Sequence, residues 1–316
     1  MAAPDAPVPH ADPTAAAPES RGFSPVVWVL ALYGVAYAIY GLTLASRGPG
    51  YALAADIAYQ SAITWLYDRI DYERNRPVTQ EPFRLERIQR LLTRIGSPHL
   101  QIPCIHIAGT KGKGSTAAML ESIARHAGIR TGLFTSPHIE QFEERMRVNG
   151  HMPSPETLTR LVQQLRTLLE SPQVDEADRM PTFFEAATLL AWMLFAEQQV
   201  QLVVLETGLG GRLDCTNVCQ PIVTVITSIG FDHMQILGHT LDLIAAEKAG
   251  ILKPGIPVVQ GQLPPAADEV VANRAAELGC RRFVCGAEFA WTDEPPRSEE
   301  HTSELQSRGL ISYAVF

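Results

Sequence analysis

Cys104-Ile105-His106-Ile107-Ala108-Gly109-Thr110-Lys111-Gly112-Lys113-Gly114-Ser115 decides how this chain is read. Its first five residues form a short apolar run of buried-strand type. A glycine-rich loop follows, and Ser115 to Ala127 continues with a helical period. Strand, glycine loop and helix in that order are the setting a phosphate-binding loop needs. Gly109, Gly112 and Gly114 let the backbone approach a ligand closely and adopt positive φ. The successive N–H groups of Gly109, Thr110, Lys111, Gly112, Lys113, Gly114, Ser115 and Thr116 then face phosphate oxygens at a helix N-terminus. Lys113 can reach the β- and γ-phosphates, and the hydroxyl of Ser115 or Thr116 can reach magnesium. The spacing departs from G-x-x-x-x-G-K-[ST] because Gly114 separates Lys113 from Ser115. The bland alternative is a mobile Gly/Lys surface loop.

Working outward, Leu202 to Glu206 and Ile222 to Thr227 read as two more short buried strands, and Pro155 to Leu169 and Phe183 to Glu197 as helices. Strands alternating with helices imply an α/β fold with a mostly parallel sheet. Residues 55–296 are expected to form one such ATP-binding domain. Residues 1–22 are rich in Ala and Pro and read as a disordered leader. Within residues 23–46, Pro25 to Ala45 is apolar and uncharged, long enough to cross a bilayer as a helix. Residues Arg297 to Ser307 resemble the forward translation of a sequencing-library adapter, so residues 297–316 are set aside from fold reasoning. The damaged tail and the Pro/Ala leader favour an upstream start-codon error over a true anchor, and thus a cytoplasmic protein starting near Tyr51 to Ala55.

The net charge is −8 with 46% hydrophobic residues. That balance argues against a nucleic-acid partner but leaves room for an anionic small substrate. The five cysteines have neither CxxC nor zinc spacing and read as reduced thiols.

Further constellations sit at strand and helix ends. Ser136-Pro137-His138 supplies a rigid turn with a polar tip, and Arg145 and Arg147 suit either an anion or a solvated surface. Thr182 and Glu185 have capping-box spacing. Glu206 ends a strand where parallel sheets place ligand groups, and a carboxylate there suits a hard cation. Asp214 and Asn217 suit a turn. His233 follows Asp232 just beyond the next strand, a placement that favours function over a core role. Lys248, read from its helix alone, is a surface lysine.

Ile107 to Ser115 resembles the signature of the folylpolyglutamate synthase / dihydrofolate synthase family, a branch of the Mur ligase superfamily. Tyr67 to Glu73, Arg84 to Gly96, Phe134 to His138 with Glu144 to Gly150, and Leu205 to Asn217 resemble further motifs of that family in the same order, over about residues 58–290. The resemblance implies an ATP- and magnesium-dependent ligase that adds L-glutamate to pteroate or folate through an acyl phosphate. It implies that Glu206, His233 and Ser115 hold the metal, that Ser136, Pro137, His138 and Arg145 lie over the substrate, that Lys113 and His233 serve catalysis, and that Lys248 is carbamylated. The family's C-terminal Rossmann-like domain carries a strand-end motif of Asp-Gly-Ala-His-Asn-Pro type, which is missing here. The chain is therefore expected to hold half a site and to be inactive alone. Two other readings are a membrane-tethered, inactive nucleotide-binding fragment and a muramyl-peptide ligase. The second needs a UDP-sugar domain before the loop, and the stretch from residue 55 to Ala108 is too short for one. A monomer acting on small molecules is expected.

Overall fold

The computed structural model describes residues 49–71 and 85–289. The leader, the Pro25 to Ala45 run and residues 297–316 lie outside the described residues. The chain divides into two compact units, residues 1–56 and 57–316, and the sheet with all its loops belongs to the second. Among the described residues no helix is long and apolar enough to cross a membrane.

Seven strands form one sheet: β1 (Cys104–Ala108), β2 (Thr131–Phe134), β3 (Met146–Val148), β4 (Leu202–Glu206), β5 (Pro221–Ile226), β6 (Val258–Gln260) and β7 (Arg282–Val284), in the order β3-β2-β4-β1-β5-β6-β7. All neighbours are parallel except β3, which pairs antiparallel with β2 through Gly132–Val148 and Phe134–Met146. The helices are α1 (Pro49–Tyr67), α2 (Leu85–Arg94), α3 (Pro98–Gln101), α4 (Lys113–His126), α5 (Pro155–Glu170), α6 (Phe183–Glu197), α7 (Met234–Leu237), α8 (Leu241–Ala249) and α9 (Pro265–Glu277). Strand β1 matches the expected bounds, and the predicted parallel α/β architecture is the one observed.

Local chemistry accounts for the long helices. Ser154 caps α5 by accepting from the Thr157 N–H, and Pro155 occupies its first turn, where a missing N–H costs nothing. Leu158, Leu161, Val162, Leu165 and Leu169 then form one buried stripe, each worth about 1.5–3 kcal/mol in removed apolar surface. Helix α6 is buried on nearly every side, as an unbroken apolar run requires. It packs in a large core with α2, α5 and strands β2 and β4. A second core sits under α8 and α9 against β5 and β6. On the opposite face of the sheet α4 packs on Ile107, Leu133 and Val204.

Strand order decides where a ligand can sit. From β1 the chain crosses through α4 to β2, beyond β4, whereas from β4 it returns past β1 to β5. The connections thus diverge at β1, and the crevice at the carboxyl ends of β4, β1 and β5 is the switch point at which open α/β sheets take ligands.

Candidate active site

Three loops leave that crevice: Gly109 to Gly112 after β1, Thr207 to Asp214 after β4, and Thr227 to His233 after β5. The first is held shut by the third. Thr110 N–H donates to the Ser228 carbonyl at 2.7 Å, and its hydroxyl both donates to the Gly230 carbonyl (3.2 Å) and accepts from the Gly230 N–H (3.0 Å). The Thr227 hydroxyl donates to the Lys111 carbonyl at 2.7 Å, and Ser228 Oγ accepts from the Lys111 N–H at 3.0 Å. Gly109 has no alternative, since a Cβ there would lie 1.9 Å from Thr227 Oγ1. Gly112 takes φ 80° as the N-cap of α4, so Lys113 is the first helical residue. The helix therefore starts two residues before the expected Ser115, and Gly114 and Ser115 lie in its first turn, where N–H groups lack intrahelical partners.

Glu206 lies beneath this turn. It is 3% exposed, its Oε1 is 3.9 Å from Lys113 Nζ, and its Oε2 accepts from the Ser136 N–H at 3.2 Å. A Cβ on Gly114 would come within 3.4 Å of the same carboxylate. Burial pushes the Glu206 carboxyl up to about 7, against the opposing pull of Lys113 and the Ser136 N–H. Lys248 of α8 is not at the surface, as its helix alone suggested. It is 3% exposed, and its ammonium donates to the Gly109 carbonyl at 2.8 Å. Burial first, and Lys113 second, hold it down at about 8.

His233 has a left-handed backbone (φ 47°) and opens α7. Its N–H donates to Asp232 Oδ1 at 2.8 Å, and its Nε2 is 3.6 Å from Asp232 Oδ2. His233 is thus at the same sheet edge as Lys113 and Glu206. No three His, Cys, Asp or Glu side chains gather into a metal-binding group among the described residues. The donor set still suits magnesium, which keeps waters and takes one or two carboxylates plus substrate phosphates; Glu206 and the Ser115 hydroxyl at the loop are such a set.

Over the crevice, Ser136 joins Pro137 through a cis peptide. Arg145, 1% exposed, donates Nε–H to His138 Nδ1 at 2.7 Å and stacks 4.9 Å from the Phe183 ring centroid. Since arginine only donates, the neutral His138 carries its proton on Nε2, which faces the Tyr67 hydroxyl at 3.1 Å. Glu144 fastens the same loop by accepting from the N–H groups of Ile139, Glu140 and Gln141, bonds that hold its carboxyl below the usual range despite the opposing effect of burial.

Other residues prove to be supports. Glu185 forms the capping box with Thr182 and a two-bonded pair with Arg87 (2.9 and 2.7 Å). Asp214 accepts from the Leu209 N–H at 2.8 Å and from the N–H and hydroxyl of Thr216. Asn217 Nδ2 donates to the carbonyls of Arg212 and Gly250, both at 3.0 Å. Thr227 and Ser228 do not stand out in the sequence; a Thr-Ser pair directly after a strand is the available signal. Arg212, inside the Leu205 to Asn217 stretch, pairs with Glu247 at 2.8 Å, a contact its sequence position does not signal.

Residues 107–259, which carry the glycine loop at the sheet's switch point, the buried carboxylate and the buried lysine, match the Mur ligase middle domain, and the match makes the chain one of the Mur ligases. More narrowly, the chain belongs to the folylpolyglutamate synthase / dihydrofolate synthase family. It is 46% identical over 219 residues to the dihydrofolate synthase/folylpolyglutamate synthase of Bacillus subtilis, covering 69% of this chain and 49% of the relative. It is 38% identical over 225 residues to the human mitochondrial folylpolyglutamate synthase, covering 69% and 37%. A solved FPGS–AMPPCP–folate complex superposes with TM-score 0.68 at 37% identity, over 73% of this chain and 55% of the other. The Mycobacterium tuberculosis folylpolyglutamate synthase with ADP and AMPPCP gives 0.67 at 31%, over 75% and 52%. The chain spans half or less of the length of these curated relatives.

Proposed function

We propose that this chain supplies the nucleotide-binding half of an ATP-dependent carboxylate–amine ligase that joins L-glutamate to dihydropteroate or to a folate. The observation that carries the reading is the Lys113–Glu206 contact of 3.9 Å at the mouth of the Gly109 to Ser115 loop. A carboxylate is a poor acylating agent. Phosphorylation by ATP converts it to an acyl phosphate, and attack by the glutamate amine then gives the amide, ADP and phosphate. The protein's work is to neutralise phosphate charge and align the reactants.

In this reading the loop N–H groups and Lys113 hold the β- and γ-phosphates. Ser115, Glu206 and His233 are the residues that would hold magnesium, which would supply neutralisation of phosphate charge at this site. Ser136, Pro137, His138 and Arg145 build the wall facing the pteroate or folate, with Arg145 acting through His138 because it is itself buried. Lys248 suits carbamylation better than a surface lysine does: a pKa near 8 leaves part of the amine neutral at physiological pH, the form that adds carbon dioxide. Relatives solved with AMPPCP and with folate support the substrate classes.

Titrating the chain with AMPPCP and magnesium by calorimetry tests the nucleotide part. A saturable, magnesium-dependent isotherm is expected, and its absence overturns the assignment of the loop. Ligation is tested by ADP release in a chain extended to the relatives' length, supplied with dihydropteroate or tetrahydrofolate and L-glutamate.

A further inference from the structure

We propose that Arg212 and Glu247 are positioning residues: their pairing seats the last turn of α8 on the loop that follows Glu206, and so sets Lys248 against the phosphate loop. The effect on nucleotide rests on the ligase reading above, whereas the placement of Lys248 stands without it. Lys248 is the last residue but one of α8 (Leu241–Ala249). Its reach to the Gly109 carbonyl, 2.8 Å away, therefore depends on where that helix end is held. The final carbonyls of a helix lack intrahelical partners, and here the loop after β4 supplies them. The Glu247 carbonyl accepts from the Arg212 N–H at 2.7 Å. Asn217 Nδ2 donates to the Arg212 and Gly250 carbonyls, both at 3.0 Å, and so bridges the loop to the residue that ends the helix. The Arg212 side chain then returns to the same glutamate, its Nε and Nη2 donating to Glu247 Oε1 at 3.1 and 2.8 Å. Glu247 is thus held at its carbonyl and at its carboxylate by one residue, and Lys248 follows it directly. A cation at a helix C-terminus is also favoured by the helix dipole.

The join leaves no slack. A Cβ on Gly211 would lie 2.8 Å from the Glu247 carbonyl oxygen and 2.9 Å from that of Lys248, and a Cβ on Gly250 would collide with Arg212 Cβ. The loop that receives the helix is itself stiff, because Asp214 accepts from the Leu209 N–H at 2.8 Å and from the Thr216 N–H at 3.0 Å. The Arg212 side chain is 51% exposed, and an ion pair so open to water adds little to stability. What the pair supplies is placement. It ties the loop that carries Glu206 to the helix that carries Lys248, and Lys248 ties that helix to Gly109. Three loops at the crevice are then held in one register, with Arg212 acting through Glu247 and Lys248 rather than by touching a ligand.

Acetylation of the full 316-residue chain by acetic anhydride in carbon dioxide-free buffer, read at Lys248 by mass spectrometry, tests the placement directly, with the exposed Lys111 as internal reference. Arg212→Met is expected to raise the relative rate at Lys248 about threefold, since labelling tracks the population of locally opened states. Gly211→Ala, which wedges the loop off α8, is expected to raise it at least as much. Arg212→Lys keeps one donor for Glu247 and is expected to recover most of the protection. A Lys248 rate unchanged in both Arg212→Met and Gly211→Ala overturns the proposal, and so does a rise that Arg212→Lys fails to reverse. AMPPCP titrations give the second reading. Arg212→Met is expected to weaken binding about threefold in the wild-type background and not at all in Lys248→Met, the non-additivity of residues that act through one another. Equal losses in the two backgrounds overturn the route through Lys248. Failure of the wild type to bind AMPPCP overturns the ligase reading of the loop alone, and the acetylation rates still decide the placement. If Arg212→Met does not fold, Glu247→Ala opens the same pair and is read in the same way.

Discussion

Lys248 Nζ lies 2.8 Å from the Gly109 carbonyl oxygen, joining residues 139 positions apart, and almost none of the lysine reaches water. A buried ammonium is costly unless bonded, and here its bond fixes the first residue of the phosphate loop. Its folded pKa of about 8 is below the unfolded value near 10.4. Between those values the unfolded chain binds more protons, so stability rises with pH and levels off above the window. A gain of roughly 3 kcal/mol between pH 8 and 10.5 is expected from a shift of that size. Denaturant titrations across this range should show it in the wild type and not in Lys248→Met; identical slopes would mean that the lysine is not buried.

Lys113→Ala should raise the dissociation constant of AMPPCP at least tenfold, because the proposed phosphate site loses the lysine at its mouth. A change within about tenfold, ~1.4 kcal/mol, would remove Lys113 from nucleotide binding.

Glu206→Gln keeps size and the acceptor for the Ser136 N–H while removing charge. In the metal-free wild type the folded pKa of about 7 exceeds the unfolded value near 4.3. The folded chain therefore binds more protons between those values, and stability falls by on the order of 3 kcal/mol as pH rises through them. The variant should lack that fall, melt higher than wild type above pH 7, and need more magnesium to bind AMPPCP. An unchanged magnesium titration would leave Glu206 a structural role only.

Gly109→Ala forces a Cβ onto Thr227 Oγ1 and should cost about 1–3 kcal/mol as overpacking. Thr227→Ala removes the obstructing oxygen. The double variant should be more stable than the sum of the single changes predicts, with a coupling of about 0.5–3 kcal/mol; additive losses would argue against the contact.

Glu185→Ala should cost about 2 kcal/mol, from the lost cap and the stranded Arg87. AMPPCP affinity should stay within twofold. A large loss of affinity with intact stability would show that Glu185 belongs to the site.

Fold and site are legible in the sequence where one local rule suffices. The Cys104 to Ser115 stretch announces strand, loop and helix, and Thr182 with Glu185 announces a helix start. What escapes depends on partners distant in sequence. Nothing within α8 distinguishes Lys248 from a solvated lysine; the Gly109 carbonyl buries it. Arg145 reads equally well as an anion site or a surface residue, and its contacts with Phe183 and His138 mark it as a buried prop. The α4 start differs from its expected place by two residues because Gly112, in its left-handed conformation, caps the helix without a side chain.

The hydrogen bonds that close the phosphate loop tie Lys111 to Thr227 and Ser228, 116 and 117 residues further on. Contacts so non-local form late, since a long loop must be closed before any of them repays its entropy. During synthesis the loop therefore leaves the ribosome early and waits, unbraced, for β5 and α8 to be made. A nascent chain interrupted before residue 227 would display the glycine and lysine signature in full and yet have no rigid cradle for a phosphate. If the loop binds nucleotide as proposed, its affinity would report completion of the sheet's far half rather than the presence of the motif.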